Sequence, residues 1–132
     1  MKFLLRTILI AGLSYLGLSY FDWWIIIPIA FGVGLLMSEK RPRRLFKKKK
    51  RPAYAFISGF IAQALVWGIM DWYLDKGNAS LLSGKIFELL SSGASTPLSP
   101  AWALITTTAC TGALLGGFSA MSGNLLGEAI KN

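Results

Sequence analysis

Histidine is absent from this chain of 132 residues, and cysteine occurs once, at Cys110. The first absence removes the commonest general base and the commonest metal ligand together. The second leaves no intrachain disulfide and no zinc framework. Charge is also scarce: 15% of the residues are Asp, Glu, Lys or Arg, against about a quarter in soluble domains. A soluble chain of this length forms one small domain with a modest core. The apolar runs here are too long and too many to be hidden inside it.

Those runs give the fold class, an all-α integral membrane protein. Four transmembrane helices are expected as two antiparallel hairpins, over residues 3–20, 23–38, 53–74 and 101–126. Lys2 and Arg6, at the start of the first run, also suit the basic region of a signal peptide. No A-x-A-like cleavage site follows, however, and a second apolar run begins almost at once, so a retained helix is expected. Phe21 and Asp22 are the whole connection between the first two runs, which makes them antiparallel neighbours. The second run is short of the ~30 Å hydrocarbon core. It is expected to extend through Phe21 and Ser38, with Lys40 and Arg41 snorkelling, and to kink or shift at Pro28. Asp75-Lys76-Gly77-Asn78 reads as the turn that ends the third run. Leu82, Ile86, Leu89 and Leu90 then recur at helical spacing, broken by Lys85 and Glu88. That segment is too short and polar to span, and reads as an amphipathic helix at the interface or against the bundle.

The net charge of +8 is confined to one loop, residues 39–52. Lys40, Arg41, Arg43, Arg44, Lys47, Lys48, Lys49, Lys50 and Arg51 stand there, and the remainder of the chain is close to neutral. Short loops rich in Lys and Arg stay in the cytoplasm. This orientation puts both termini inside, places residues 75–100 outside, and is that of a bacterial inner membrane protein. Tyr20, Phe21, Trp23, Trp24, Trp67, Trp72, Tyr73 and Trp102 then gather at the outer side, as an interfacial aromatic belt does. The loop residues are expected to touch anionic lipid headgroups. Specific nucleic-acid recognition is not indicated, since aromatic interleaving is limited to Phe46.

Candidate functional residues are few. Gly112, Gly116, Ala120, Gly123 and Gly127 make a continuous small-residue face on the last helix. Such a face packs closely against another helix, within the chain or across an oligomer interface. Gln63, Thr108, Thr111 and Asn124 are the intramembrane polar candidates, and Gln63 is expected to bond the last helix near Thr108, Cys110 or Thr111. Cys110 reads as a small, inert, buried residue. Asp22, Asp71 and Asp75 fall near the outer boundary, and Glu39 and Glu128 near the inner one, so no carboxylate is expected at depth. Leu82-Ser83-Gly84-Lys85 fails as a phosphate loop, because Ile86 stands where Ser or Thr belongs. Asn78-Ala79-Ser80 matches a glycosylation sequon, a pattern frequent by chance.

No catalytic constellation or cofactor site emerges. The reading is a non-enzymatic bundle acting through helix contacts, as a homo-oligomer or an accessory subunit of a membrane complex. The alternative is a small oligomeric channel or transporter, with the last helix and Gln63 lining its path.

Overall fold

The computed structural model describes residues 2–38, 51–91 and 99–131. Their regular structure is helical throughout: α1 (Lys2–Tyr20), a 3₁₀ turn η1 (Trp23–Ile25), α2 (Ile26–Leu36), α3 (Arg51–Gly77), α4 (Leu81–Ser91) and α5 (Pro100–Ile130). The Lys40–Lys50 part of the basic loop lies outside the described residues, and Arg51 opens α3. Three helices, α1, α3 and α5, are each long and apolar enough to cross a membrane.

The distribution of side chains is inverted relative to a soluble protein. The centre, where four helices meet, is built from Ile10 of α1, Ala30 and Val33 of α2, Ala62 of α3 and Ala120 of α5. Most of these residues are small. The large apolar side chains face outward instead, as in the row Ile57, Ile61, Leu65 and Ile69 along α3. Such a row in water would be a costly exposed patch, whereas in lipid it is the favoured surface. Long apolar helices with apolar exteriors are the marks of a membrane protein.

The helices are arranged in a ring, with α3 and α2 each packed against both α1 and α5, and α1 diagonal to α5. Contacts along each seam fix the directions. Arg6 meets Met37 while Gly17 meets Ile25 and Ile29, so α1 and α2 run oppositely. Phe56 meets Gly117 while Gly68 meets Ala109, so α3 and α5 also run oppositely. Phe31 meets Gly123 while Ser38 meets Gly127, so α2 and α5 run the same way.

Several boundaries differ from those read in the sequence. The α-helix of the second run stops at Leu36, with no extension through Phe21 or Ser38. From Trp23 to Leu36 it spans only about 21 Å at 1.5 Å per residue. Cations from both neighbours make the early stop possible. Arg6 donates from Nη2 to the Met37 carbonyl at 3.0 Å, and Lys131 donates from Nζ to the carbonyls of Leu36 at 3.3 Å and Ser38 at 2.7 Å. Carbonyls that end a helix need such partners, and positive charge suits that end of the dipole. Pro28 lies in the first turn of α2, where a missing N–H breaks no hydrogen bond. The expected offset is the change from 3₁₀ to α geometry just before it.

The third helix runs through Asp75-Lys76-Gly77, which had read as its terminator. Lys76 lies over the Trp72 ring one turn back, 4.1 Å from its centroid, and this pairing extends the helix. The turn comes at Ala79 and Ser80, both left-handed at φ 50° and 57°. Ser80 Oγ donates to Asp75 Oδ2 at 2.7 Å across it. The helix α4 follows, leaving Leu81, Leu82, Ile86 and Leu89 exposed. The last helix continues four residues past Leu126, to Ile130, because its packed face continues through Gly127 and Glu128.

Candidate functional site: the polar seam between α3 and α5

Steps of four residues organise the contact between these two helices. Asp71, Trp67, Gln63 and Gly59 descend one face of α3, each one turn below the last. Opposite them on α5 stand Thr108, Gly112, Gly116 and Ala120. Asp71, Trp67 and Gln63 of α3 each meet a small or hydroxyl residue of α5. A Cβ on Gly112 would lie 2.6 Å from the Trp67 ring. One on Gly116 would run into the Gln63 side chain and lie 3.0 Å from the Gly59 carbonyl oxygen. Glycine is needed there because the neighbouring side chain occupies the space of a methyl group.

The lower half of the small-residue face meets α2 instead. A Cβ on Gly123 would come within 2.8 Å of the Phe31 carbonyl carbon, and one on Gly127 within 2.6 Å of the Leu35 oxygen. Ala120 faces both neighbours, Gly34 of α2 and Gly59 of α3. All five residues, Gly112, Gly116, Ala120, Gly123 and Gly127, are thus placed against helices of the same chain.

Gln63 is fully buried, and the structure corrects its expected partner. Its Nε2 donates to Ser14 Oγ of α1 at 2.5 Å, and not to Thr108, Cys110 or Thr111. Its methylenes press on Gly116, so one side chain joins three helices. The Oε1 atom is buried and accepts no hydrogen bond among the described residues. The same holds for Oδ1 of Asn124, which lies on α5 one turn below Ala120. Another turn down is Glu128, 1% exposed. A carboxylate expected near the inner boundary therefore lies inside the bundle. The terminus of α2 tucks against Gly127, and that contact encloses the last turns of α5.

At the outer end, Thr108 Oγ1 donates to Asp71 Oδ2 across the seam. Asp71 borders two clefts. One, of about 210 Å³, lies between α3, α4 and α5, with Asp75, Ser83 and Thr108 among its lining residues. The other, of about 200 Å³, lies between α1, η1 and α3.

Two expected polar positions lie elsewhere. Thr111 is exposed and donates back to the Thr107 carbonyl at 2.9 Å, the usual self-satisfaction of a helical threonine. Cys110 is exposed and not buried. Ser14 of α1, which bonds Gln63, and the carboxylates Asp71 and Glu128 join these polar positions without having been among the intramembrane polar candidates. A lone serine at mid-span was the available signal for Ser14, and a carboxylate at i+4 from Asn124 was the signal for Glu128.

The seam offers hydrogen-bond acceptors together with one buried donor, Nε1 of Trp67, that has no partner among the described residues. The acceptors are the Asp71 and Glu128 carboxylates and the buried amide oxygens of Gln63 and Asn124. No group of three or more His, Cys, Asp or Glu side chains capable of holding a metal occurs among the described residues. No family model, curated protein or solved structure matches the chain.

Proposed function

We propose that the chain is a non-enzymatic membrane protein of four spans that moves a cation, a proton included, along the polar seam between α3 and α5. The observation that carries this reading is the pair of buried amide oxygens with no hydrogen-bond donor among the described residues, Oε1 of Gln63 and Oδ1 of Asn124, with the half-buried Asp71 above them and the buried Glu128 below. Polar groups inside a bilayer are expensive, and an amide that serves only as helix glue has its acceptor filled. The two unfilled amide oxygens are acceptors and suit a positively charged solute or water carrying a proton, and the buried Trp67 Nε1 donor, also without a partner among the described residues, suits the oxygen of such a water. Trp67 against Gly112 and Gln63 against Gly116 close the seam, so passage requires α3 and α5 to part.

The fourth span is Trp23–Leu36, which must thin the bilayer or sit low in it. By the Lys/Arg rule, residues 39–52 face the cytoplasm, in a bacterial inner membrane, and contact anionic lipid there. An impermeant thiol reagent added to intact cells should then label a cysteine at Ser95 and spare one at Lys48, with Cys110 first replaced by Ser. The reverse pattern would overturn the orientation.

The transport reading is tested in proteoliposomes. Wild-type protein should dissipate an imposed cation or pH gradient faster than empty vesicles do. Glu128→Gln and Gln63→Leu should slow it while the protein remains folded. Wild-type vesicles as tight as empty ones to protons, alkali cations and small ammonium ions would remove the reading.

A second reading, contact with further membrane subunits or with copies of this chain, rests on a different surface. Thr106, Thr107, Cys110 and Thr111 form an outward patch on α5 that is more polar than a lipid-facing surface needs to be. The small-residue face no longer argues for it, being occupied within the chain. The mass of the detergent-extracted particle, with identification of co-purifying chains, tests this reading.

A further inference from the structure

The cleft between α1, η1 and α3 has an unusual lining. Trp23 and Trp67 supply two indoles, Leu18, Met70 and Leu74 supply apolar wall, and Asp71 is the sole charged residue. Asp71 is half-buried, its polar partner is the Thr108 hydroxyl, and it makes no ion pair among the described residues. A carboxylate held against apolar walls needs a countercharge. We propose that this cleft binds an alkylammonium group, with Asp71 as counter-ion and the Trp23 and Trp67 indoles as walls.

The donor set selects that class. A bare Mg²⁺ or Ca²⁺ needs six or more oxygens, and this cleft brings one carboxylate. Anions are repelled by the same carboxylate. A methylated or ethylated ammonium is matched on both counts, since its charge faces Asp71 and its alkyl shell lies on indole faces. The volume of about 200 Å³ is below that of sites for drug-sized ligands, and suits a single head group. The group could belong to a free solute or to the headgroup of a choline lipid, since the chemistry presented to the cleft is the same.

The proposal deepens the cation reading above, on which it rests for its biological purpose. Binding is measured without flux, however, so the two fail separately. Purified protein in maltoside detergent is titrated with choline and with tetraethylammonium, following tryptophan fluorescence and calorimetry. The neutral choline isostere 3,3-dimethyl-1-butanol is the control. Saturable binding of the cations is expected, with none of the isostere. Asp71→Asn preserves the shape and leaves an oxygen for Thr108, and Trp23 is 58% exposed, so its replacement leaves the core intact. Affinity should fall about tenfold or more in Asp71→Asn and in Trp23→Leu, and recover partly in Trp23→Phe.

Repeating the titration in nanodiscs separates the sources. Weaker choline binding in phosphatidylcholine than in phosphatidylglycerol assigns the site to a lipid headgroup, and equal binding assigns it to a free solute. The site is overturned by a folded wild type that binds neither cation, by equal binding of the isostere, or by undiminished affinity in folded Asp71→Asn. Cation flux without choline binding would remove this site and leave the transport reading standing.

Discussion

The two seams of α5 use the same small residues in different ways. Along α3, the glycines of α5 receive mostly side chains, Trp67 on Gly112, Gln63 on Gly116 and the Phe56 ring on Gly117, with one backbone approach where Gly59 meets Gly116. Along α2, they receive mostly backbone: Phe31 on Gly123 and Leu35 on Gly127, where the Ser38 side chain joins it, with Gly34 returning the contact on Ala120. A side chain has rotamers into which it can retreat, whereas a packed helix backbone moves only as a unit. The α2 seam therefore has the stiffer contacts, and the α3 seam has side chains that can give way at Trp67, Gln63 and Phe56. Asp71, Thr108 and Gln63 lie along that side-chain seam.

This difference orders the mutational effects. The largest is expected for Gly123→Ala, whose methyl group would meet the Phe31 carbonyl with no rotamer to relieve it. A loss at the upper end of the ~1–3 kcal/mol typical of overpacking should appear as a lower thermal unfolding midpoint in detergent and a smaller folded yield. A midpoint within error of wild type would show that α2 slides freely and would abolish the distinction between the seams.

Gly116→Ala comes next. Its methyl group meets the Gln63 side chain, so the cost depends on what that side chain does. About 1 kcal/mol is expected, with much of it relieved in the double variant Gly116→Ala with Gln63→Ala. Unfolding of the four proteins of this cycle gives the coupling directly, and additivity would mean that the clash is with the Gly59 backbone instead.

Gln63→Leu alone should remove the bond to Ser14 at a cost of ~0.6–2 kcal/mol, the range for hydrogen bonds between membrane helices. Ser14→Ala should cost a similar amount, and the pair together no more than either alone. Independent effects would sever the assigned α1–α3 link.

The smallest effects belong to the ends and the exterior. Arg6→Gln and Lys131→Gln each withdraw a charge from the carbonyl end of α2 and should cost ~0.3–1 kcal/mol, less at high salt. Thr111→Val on the exposed face of α5 should change stability by no more than about 0.5 kcal/mol. A larger loss in either detergent or vesicles would reveal a neighbour seated on that face.

What the sequence made legible follows the same division. The small-residue face could be read from spacing, since steps of three and four on one long helix admit a single interpretation. Which helix would fill it could not be read, because Gly112 and Gly127 look alike in a string and meet different neighbours. The depth of Gln63 could be counted from Pro52 and Asp71. Its partner Ser14 could not, since a hydroxyl satisfied locally and one reached from another helix have the same letter. Cys110 and Thr111 show the reverse error: small polar residues on a crowded helix suggested the interior, but the helix turns them outward. Glu128 was hidden by its position near the end of an apolar run. Its burial depends on where α2 stops, which is set by Arg6 and Lys131 from two other helices.

In the four-span arrangement proposed above, the abbreviated second span also acts on what surrounds the protein. About 21 Å of helix against ~30 Å of hydrocarbon leaves a deficit that the neighbouring lipids must absorb on one side of the bundle, while α3 and α5 are long enough to cross with a tilt. That arrangement would pinch the membrane beside α2 and leave it unperturbed elsewhere. Each ångström of pinching costs a fraction of a kcal/mol, enough to bias where the molecule resides. It should enrich in short-chain lipid over long-chain lipid in phase-separated vesicles, and lengthening α2 by one turn of leucine should erase the preference.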